Sequence, residues 1–500
     1  MDVTAFREAW PALRSTSLPL EPNSWLLHIP NEHPLQKEIT AETLGRWIQQ
    51  EIQKSETLFV LCTRSLIAEW LPEKPICAYQ ELLEIQQDNI RGCVWKTEID
   101  PVAIQQQLLG NSQLETIAMA HQAVLQSPHL PLKLQELLIP KPWGYEGWYT
   151  GVEQRGVASV IDEQGSTELP YALNLFPESL LAHQEPPLIL LKTLNPVPEI
   201  ILGDLYLELH LEKWEVYIVT AIDETAWPGG VGQVRAGLHP ELLQTYQQQH
   251  GDDWWSAYRK DFRRAIQNYE TLRRKLDERL DQERSQRGYG LTQALSPEEM
   301  QELLSTIPEH LQQEETKLRL SAEAYVGSCP VRVGDVVSFP TWQMHSLQHG
   351  VRVIEFQTPH YERMIVMFGQ KVLTQNHWNT EEALAGMKPE AYQPPQPELI
   401  WQRDGVRCER VVNFPDFDAF RLCVPTGQRI RLEGKGNYQL LMGVKGYGQF
   451  LVGGESCGMI RREEGWMIPA VTDDCWLESR GARDLICLQA IPKDISGLSA

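Results

Sequence analysis

The period of the apolar residues changes several times along this chain, and each change marks an element. Over 41–53 Leu44, Trp47, Ile48 and Ile52 recur at helical spacing, and Thr40 stands where an N-cap belongs. TLFVLC (57–62) has the length of a short buried strand, and 101–126 reads as two helices broken near Gly110, Asn111 and Ser112. Residues 1–135 are therefore expected to be mixed and mostly helical. Strand character follows in PLILLKTL (187–194), LYLELHL (205–211) and WEVYIVTAI (214–222). Helical spacing returns over 239–320, where Trp254, Tyr258, Phe262, Ile266, Tyr269, Leu272, Leu276 and Leu280 recur every three or four positions among charged residues. SPEE (296–299) announces a further helix: an N-cap serine, a proline in the first turn and a glutamate closing a capping box. Strands resume over 328–368, and the proline-rich KPEAYQPPQPE (388–398) reads as a linker. The last hundred residues alternate strands with glycine turns, as in GNYQLLMGVKGYGQFLVGG (436–454), GWMIPAV (465–471) and DLICLQAI (484–491), which predicts a small barrel or sandwich.

At 500 residues the chain exceeds what one core supports, so two or three domains are expected. Apolar (42%) and charged (22%) contents are those of a folded, water-soluble protein. The 45 Lys+Arg against 67 Asp+Glu give a net charge of −22, which argues against nucleic-acid and anionic-membrane partners. A small anionic substrate held by a few local cations remains compatible with it. Nine cysteines are scattered from Cys62 to Cys487 without a C-x-x-C pair, so reduced thiols and a cytoplasmic location are expected. The N-terminal stretch lacks an apolar signal core, and no apolar run has the length of a bilayer span. No pattern sets an oligomeric state.

Two segments carry candidate chemistry. In GDLYLELHLEKWE (203–215), Glu208 and His210 are two apart, so on a strand both side chains leave one face; Glu215 follows after a turn's length. In GDVVSFPTWQMH (334–345), His345 lies just past a strand bounded by glycine and proline. One sheet wall would offer two imidazoles and two carboxylates, a set that suits zinc, manganese or ferrous iron. The plainer alternative is a metal-free wall whose histidines are satisfied by neighbouring hydrogen bonds. His349 and His360 read as turn or surface histidines, and Trp254 with Trp255 as packing. The glycines of 443–454 read as hairpin turns, since no helix pattern follows them.

The two segments together resemble the two-part cupin signature, in which glycine, H-x-H and glutamate are followed by G-x5-P-x-G-x2-H. Glu208 stands for the first histidine and Trp342 for the second glycine. The helical stretch between the halves resembles that of the type I phosphomannose isomerases, zinc-dependent cupins with a helical domain inside the catalytic barrel. KPWGYE (141–146) is similar to that family's K-x-W-G-G-E, and PPLILLKTLNPVPEIILGDLYLELH (186–210) to its P-L-L-x-K-x-L segment. KWEVYI (213–218) resembles K-x-E-x-W-Y, VIEFQTPHYER (353–363) its E-[IL]-Q…T-Y-R strand, and GWMIPA (465–470) a motif of its C-terminal metal-free cupin. The resemblance covers about 138–495 and leaves the first 130 residues without a counterpart. Glu208 replaces a glutamine of the family, the segment from His210 to Glu215 is shorter, and Glu362 precedes Arg363 in a contracted ending.

The resemblance implies a mainly β fold with an α insertion: a double cupin with an inserted helical domain and a mixed α/β N-terminal extension. Its domains would be 1–135, a metal-binding cupin over 136–237 and 321–387, a helical insertion over 238–320, and a metal-free cupin over 399–500. It implies metal ligands Glu208, His210, Glu215 and His345, catalytic Lys213 and Arg363, and substrate-binding Lys192. The cofactor would be zinc, with manganese or iron as alternatives. The expected activity is metal-dependent aldose–ketose isomerisation of a sugar phosphate, as between mannose 6-phosphate and fructose 6-phosphate. The rivals are an iron-dependent cupin oxygenase and a non-catalytic cupin that binds sugars or regulates.

Overall fold

The computed structural model describes residues 4–20, 23–31, 39–109, 113–182, 188–291, 293 and 295–493. They form a mainly β structure with a helical insertion, gathered into two compact units. One unit comprises Met1–Leu137, Trp148–Ile189 and Leu399–Ala500; the other comprises Leu138–Gly147 and Leu190–Glu398. Among the described residues no helix is long and apolar enough to cross a membrane.

The second unit carries the two candidate segments. A six-stranded sheet runs in the order Val336–Phe339, Glu215–Ile222, Val351–Gln357, Leu190–Pro196, Gly144–Trp148, Leu137–Lys141. A five-stranded sheet runs Val326–Val331, Gly232–Leu238, His345–Leu347, Leu207–Leu209, Met364–Met367. Alternate residues of both sheets, among them Leu209, Val219, Val234, Phe339, Leu347 and Ile365, are buried in one shared core. The central strands are buried on both faces, as residues 190–195 and 215–219 show.

Helices Pro240–His250, Trp254–Gln286, Pro297–Leu304 and Glu309–Glu323 interrupt these strands. In Trp254–Gln286 the apolar stripe from Tyr258 to Leu280 is buried together with Arg273, Asp277 and Arg284, while Trp254 is only partly buried. The capping box forms as read: the Glu299 amide donates to Ser296 Oγ (3.2 Å) and the Ser296 amide to Glu299 Oε2 (2.7 Å). The proline-rich 388–398 is less free than a linker. Ala391 bridges to Gly237, and the Tyr392 hydroxyl accepts from the Ser338 amide (3.0 Å) while its ring lies on Phe339.

In the first unit, residues read as mostly helical instead form a five-stranded sheet: Leu18–Pro19, Ser24–Ile29, Thr57–Ile67, Ile76–Gln86, Asn89–Trp95. The pair Ser24–Ile29 and Thr57–Ile67 is parallel, and helix Ala41–Glu51 makes the crossover with Thr40 as its N-cap. Helices Pro101–Leu109 and Leu114–Ala120 are present, and the break expected at 110–112 lies outside the described residues. The C-terminal strands pair as a nine-stranded sheet, extended at one side by Leu132–Gln135, Ser159–Ile161 and Ser166–Glu168, and face a four-stranded sheet over a core that includes Leu422, Ile430, Phe450 and Leu477.

Candidate metal centre

Strand Leu207–Leu209 lies between His345–Leu347 and Met364–Met367, with Glu208 directly opposite His345 and a register shift between Leu207 and Glu208 on the other side. The strand is shorter than the expected 205–211, and His210 sits just beyond it. There the Trp342 amide donates to the His210 carbonyl (2.7 Å), and the amides of Leu211 and Glu212 donate to Glu362 Oε1 (2.6 and 3.1 Å). Trp342, which stands where the resembled motif has glycine, holds a left-handed φ of 63°. Its ring lies over Gly386, where a Cβ would come within 2.0 Å of it.

Glu208, His210 and His345 bring one ligand atom each within 4.8 Å of one another. Glu215, at the start of its strand, lies against both imidazoles, with Oε1 3.3 Å from His210 Nε2 and Oε2 3.1 Å from His345 Nε2. The structure therefore brings all four sequence-expected ligands to one place. The rings are fixed from behind: His210 Nδ1 faces the Glu362 carbonyl at 3.1 Å, and His345 Nδ1 the Gln343 carbonyl at 3.0 Å. His345 also stacks on Phe339, with centroids 4.0 Å apart.

A neutral imidazole has one ring proton, and each carbonyl takes it through Nδ1, so both Nε2 atoms present lone pairs to Glu215. Lone pairs and carboxylate oxygens thus converge on one another. Among the described residues Glu208 Oε2 and His210 Nε2 are buried without any hydrogen-bond partner; the 3.3 Å approach to Glu215 lacks the geometry of one. Orphaned acceptors of this kind are costly unless a cation sits among them. The donor set fits a divalent ion.

The electrostatics favour proton-free His210 and Glu215. Burial, reinforced by the Lys213 ammonium, pushes His210 down to about 3. Burial would raise Glu215, but the Lys213 ammonium beside it holds it well below the usual carboxylate range. Glu208, which lacks such close support, is pushed up by burial against the opposing charges of Arg363 and Lys213.

The three sequence-expected cations stand around this cluster. Lys213 is 8% exposed and its Nζ lies 2.7 Å from Glu215 Oε1. Lys192 is equally buried, donates to Gln357 Oε1 (2.7 Å), and has Glu355 Oε2 at 3.6 Å. Arg363 is partly exposed, lies over the Tyr206 ring at 4.3 Å and donates to Thr374 Oγ1 (2.6 Å).

Sequence reasoning missed the groups behind them. Glu355 pairs across strands with Lys192 on one side and Tyr217 on the other. Burial, aided by Glu215 and opposed by Lys192, pushes Glu355 up to about 8. The Tyr217 hydroxyl donates to Glu215 Oε2 (3.1 Å). The signal available was E-x-Q (355–357) inside an otherwise apolar strand. His349, read as a turn or surface residue, is 7% exposed, stacks on Trp227 and bonds Asp204 Oδ1 through Nδ1 (2.7 Å). His360 is exposed, as read, with Glu212 at 3.5 Å.

No family model matches the chain, and no curated protein matches it. Solved structures similar to it include mannose 6-phosphate isomerase from Bacillus subtilis, at 11% identity over 72% of this chain and 99% of that one, with a TM-score of 0.48. A variant phosphomannose isomerase from Salmonella typhimurium is similar at 13% identity over 73% of this chain and 99% of that one, TM-score 0.48. A zinc-bound mannose 6-phosphate isomerase is similar at 12% identity over 73% and 99%, TM-score 0.48.

Proposed function

We propose that the chain is a divalent-metal-dependent aldose–ketose isomerase acting on a sugar phosphate, built on two cupin-type barrels and working in the cytoplasm. The observation that carries this reading is the convergence of Glu208, His210, Glu215 and His345, two of whose ligand atoms have no other partner. A divalent ion held there, zinc before manganese or iron, supplies Lewis-acid stabilisation of negative charge on sugar oxygens. Glu208 in place of a neutral amide adds negative charge to the centre, which tempers that acidity and widens the choice of metal.

The chain's own residues supply positioning and proton handling. Isomerisation moves a proton between C1 and C2, which calls for a group of intermediate proton affinity near the reacting carbons. Glu355, pushed up to about 8, has such an affinity. Lys213, paired with Glu215, donates to a substrate oxygen rather than acting as base. Arg363, partly exposed beside Glu208, offers a planar cation to phosphate or to developing charge on the substrate. Lys192, anchored on Gln357, orients a substrate oxygen.

A second reading rests on one feature. Two imidazoles and a carboxylate in close array also suit ferrous iron and dioxygen chemistry. Elemental analysis with two assays separates the two. Zinc or manganese with interconversion of mannose 6-phosphate and fructose 6-phosphate supports the isomerase. Iron with oxygen uptake and no isomerisation overturns it.

A further inference from the structure

The C-terminal sandwich carries an open cavity of about 830 Å³, within the range of small-molecule sites. One wall comes from Glu398–Arg403, Val406–Asn413, Phe417–Val424 and Leu485–Pro492, the other from Arg429–Arg431 and Cys475–Ser479. Val406, Cys408, Leu422 and Ile430 belong to the sandwich core and make its floor apolar.

The walls specify what the guest must offer. Gln489 is 5% exposed; its Nε2 is committed to Gln439, and its Oε1 accepts no hydrogen bond among the described residues. Asp418 Oδ1 is also without a hydrogen bond, although the Lys493 ammonium lies 3.2 Å away. Two acceptors call for a ligand that brings donors, such as hydroxyls. Trp476 is fixed by its indole donating to Asp474 Oδ1 (2.8 Å), and the Arg429 guanidinium lies over the ring at 4.4 Å. Trp401, 40% exposed on the edge strand, adds a second indole. Such rings pack against flat C–H faces.

The charge is reversed here relative to the whole protein. Arg403, Arg429, Arg431, Lys435 and Lys493 face Asp404, Asp418 and Glu433, a local balance of five cations to three anions in a chain of net charge −22. Lys435 stands at the rim, exposed and making no ion pair among the described residues. A cationic rim on an acidic protein draws in an anion.

We propose that this cavity is a second ligand site that takes a phosphorylated sugar: hydroxyls on Gln489 and Asp418, an apolar ring face on the indoles, phosphate on the cationic rim. The assignment rests on the cavity alone and holds whatever the metal centre does. Calorimetric titration of the full chain, stripped of metal by chelator, with glucose 6-phosphate tests it. One binding event is expected, weakened at least about tenfold by Lys435→Glu and by Trp401→Ser, and unchanged by His345→Ala. Both cavity substitutions fall on exposed side chains, and equal melting temperatures check that they fold. Absence of binding, or binding that neither substitution alters, overturns the proposal. So does glucose, inorganic phosphate or adenosine monophosphate binding as tightly as glucose 6-phosphate.

Discussion

Glu208 and His345 face each other across two antiparallel strands although the entire helical segment lies between them in the chain. Because side chains alternate faces along a strand, slipping one of these strands by one residue would turn its ligand away from the cluster. The irregularity beside Glu208 on its other edge is the kind of local feature that re-aims a side chain at a site. The ligand set is therefore a property of strand register as much as of residue type.

The first prediction concerns metal content. His210 and His345 each present an Nε2 held in place from behind by a backbone carbonyl. Even loss of such a supporting contact typically weakens metal binding about 10- to 100-fold, so loss of the imidazole costs at least that. After dialysis, wild-type protein should retain about one ion per chain and His210→Ala or His345→Ala close to none. Full stoichiometry in both variants would place the ion elsewhere.

Lys213 and Glu215 form a pair removed from water, and breaking it from one side leaves a buried charge alone. Lys213→Met should destabilise metal-stripped protein by about 3–5 kcal/mol, read as a shift in urea midpoint at unchanged slope. Lys213→Arg should recover part of the loss, because it restores the charge. A midpoint within error of wild type for Lys213→Met would show that the pair is solvated.

Much of this was legible in the sequence where periodicity is local. The stripe from Tyr258 to Leu280 and the Ser296 capping box are short-range patterns, and both formed as read. In the first 135 residues the helix capped by Thr40, the strand at 57–62 and the two helices of 101–120 were legible, but the five-stranded sheet was not, for a physical reason. YQELLEIQ (79–86) is rich in helix formers, yet it is a central strand whose carboxylates are buried and paired: Glu81 with Arg64 at 2.6 Å, and Glu84 with Arg91. Cross-strand pairing overrode local propensity there.

At the centre, Glu208, His210, Glu215 and His345 could be found because they sit at fixed offsets in two short segments. Glu355 and Gln357 left only a polar E-x-Q inside an apolar strand as a signal, and they and Glu362 have their partners, Lys192 and the amides after His210, far off in the chain. The same holds for His349, whose burial depends on Asp204 and Trp227.

Asp204 gives a pH prediction. Burial would raise its carboxyl, but the hydrogen bonds from His349 hold it below the ordinary value of 3.8. A depressed folded value means that the unfolded chain takes up protons first as pH falls. The stabilisation is therefore complete above about 4 and is lost as pH drops through the folded value. Asp204→Asn should cost about 1–3 kcal/mol at pH 7, with the gap to wild type closing below pH ~4. Equal gaps in chemical denaturation at pH 7 and pH 3 would contradict it.

Two glycines that open the candidate segments are required for different reasons, and substitution can tell them apart. A Cβ on Gly203 would lie 1.8 Å from the Val197 carbonyl oxygen and 2.8 Å from His349 Cβ, so backbone would have to move. Gly334 has nothing within 4 Å of its would-be Cβ but holds φ at +94°. Space is the constraint at the first and conformation at the second. Alanine should destabilise both, by about 1–3 kcal/mol. Asparagine, which enters the left-handed region more readily, should recover much of the loss at Gly334 and none at Gly203. Gly203→Ala should also weaken metal binding, because Gly203 and Asp204 lead into the strand that carries Glu208. Thermal melts of the four variants, with and without chelator, check this; asparagine rescuing Gly203 as well as Gly334 would refute the steric account.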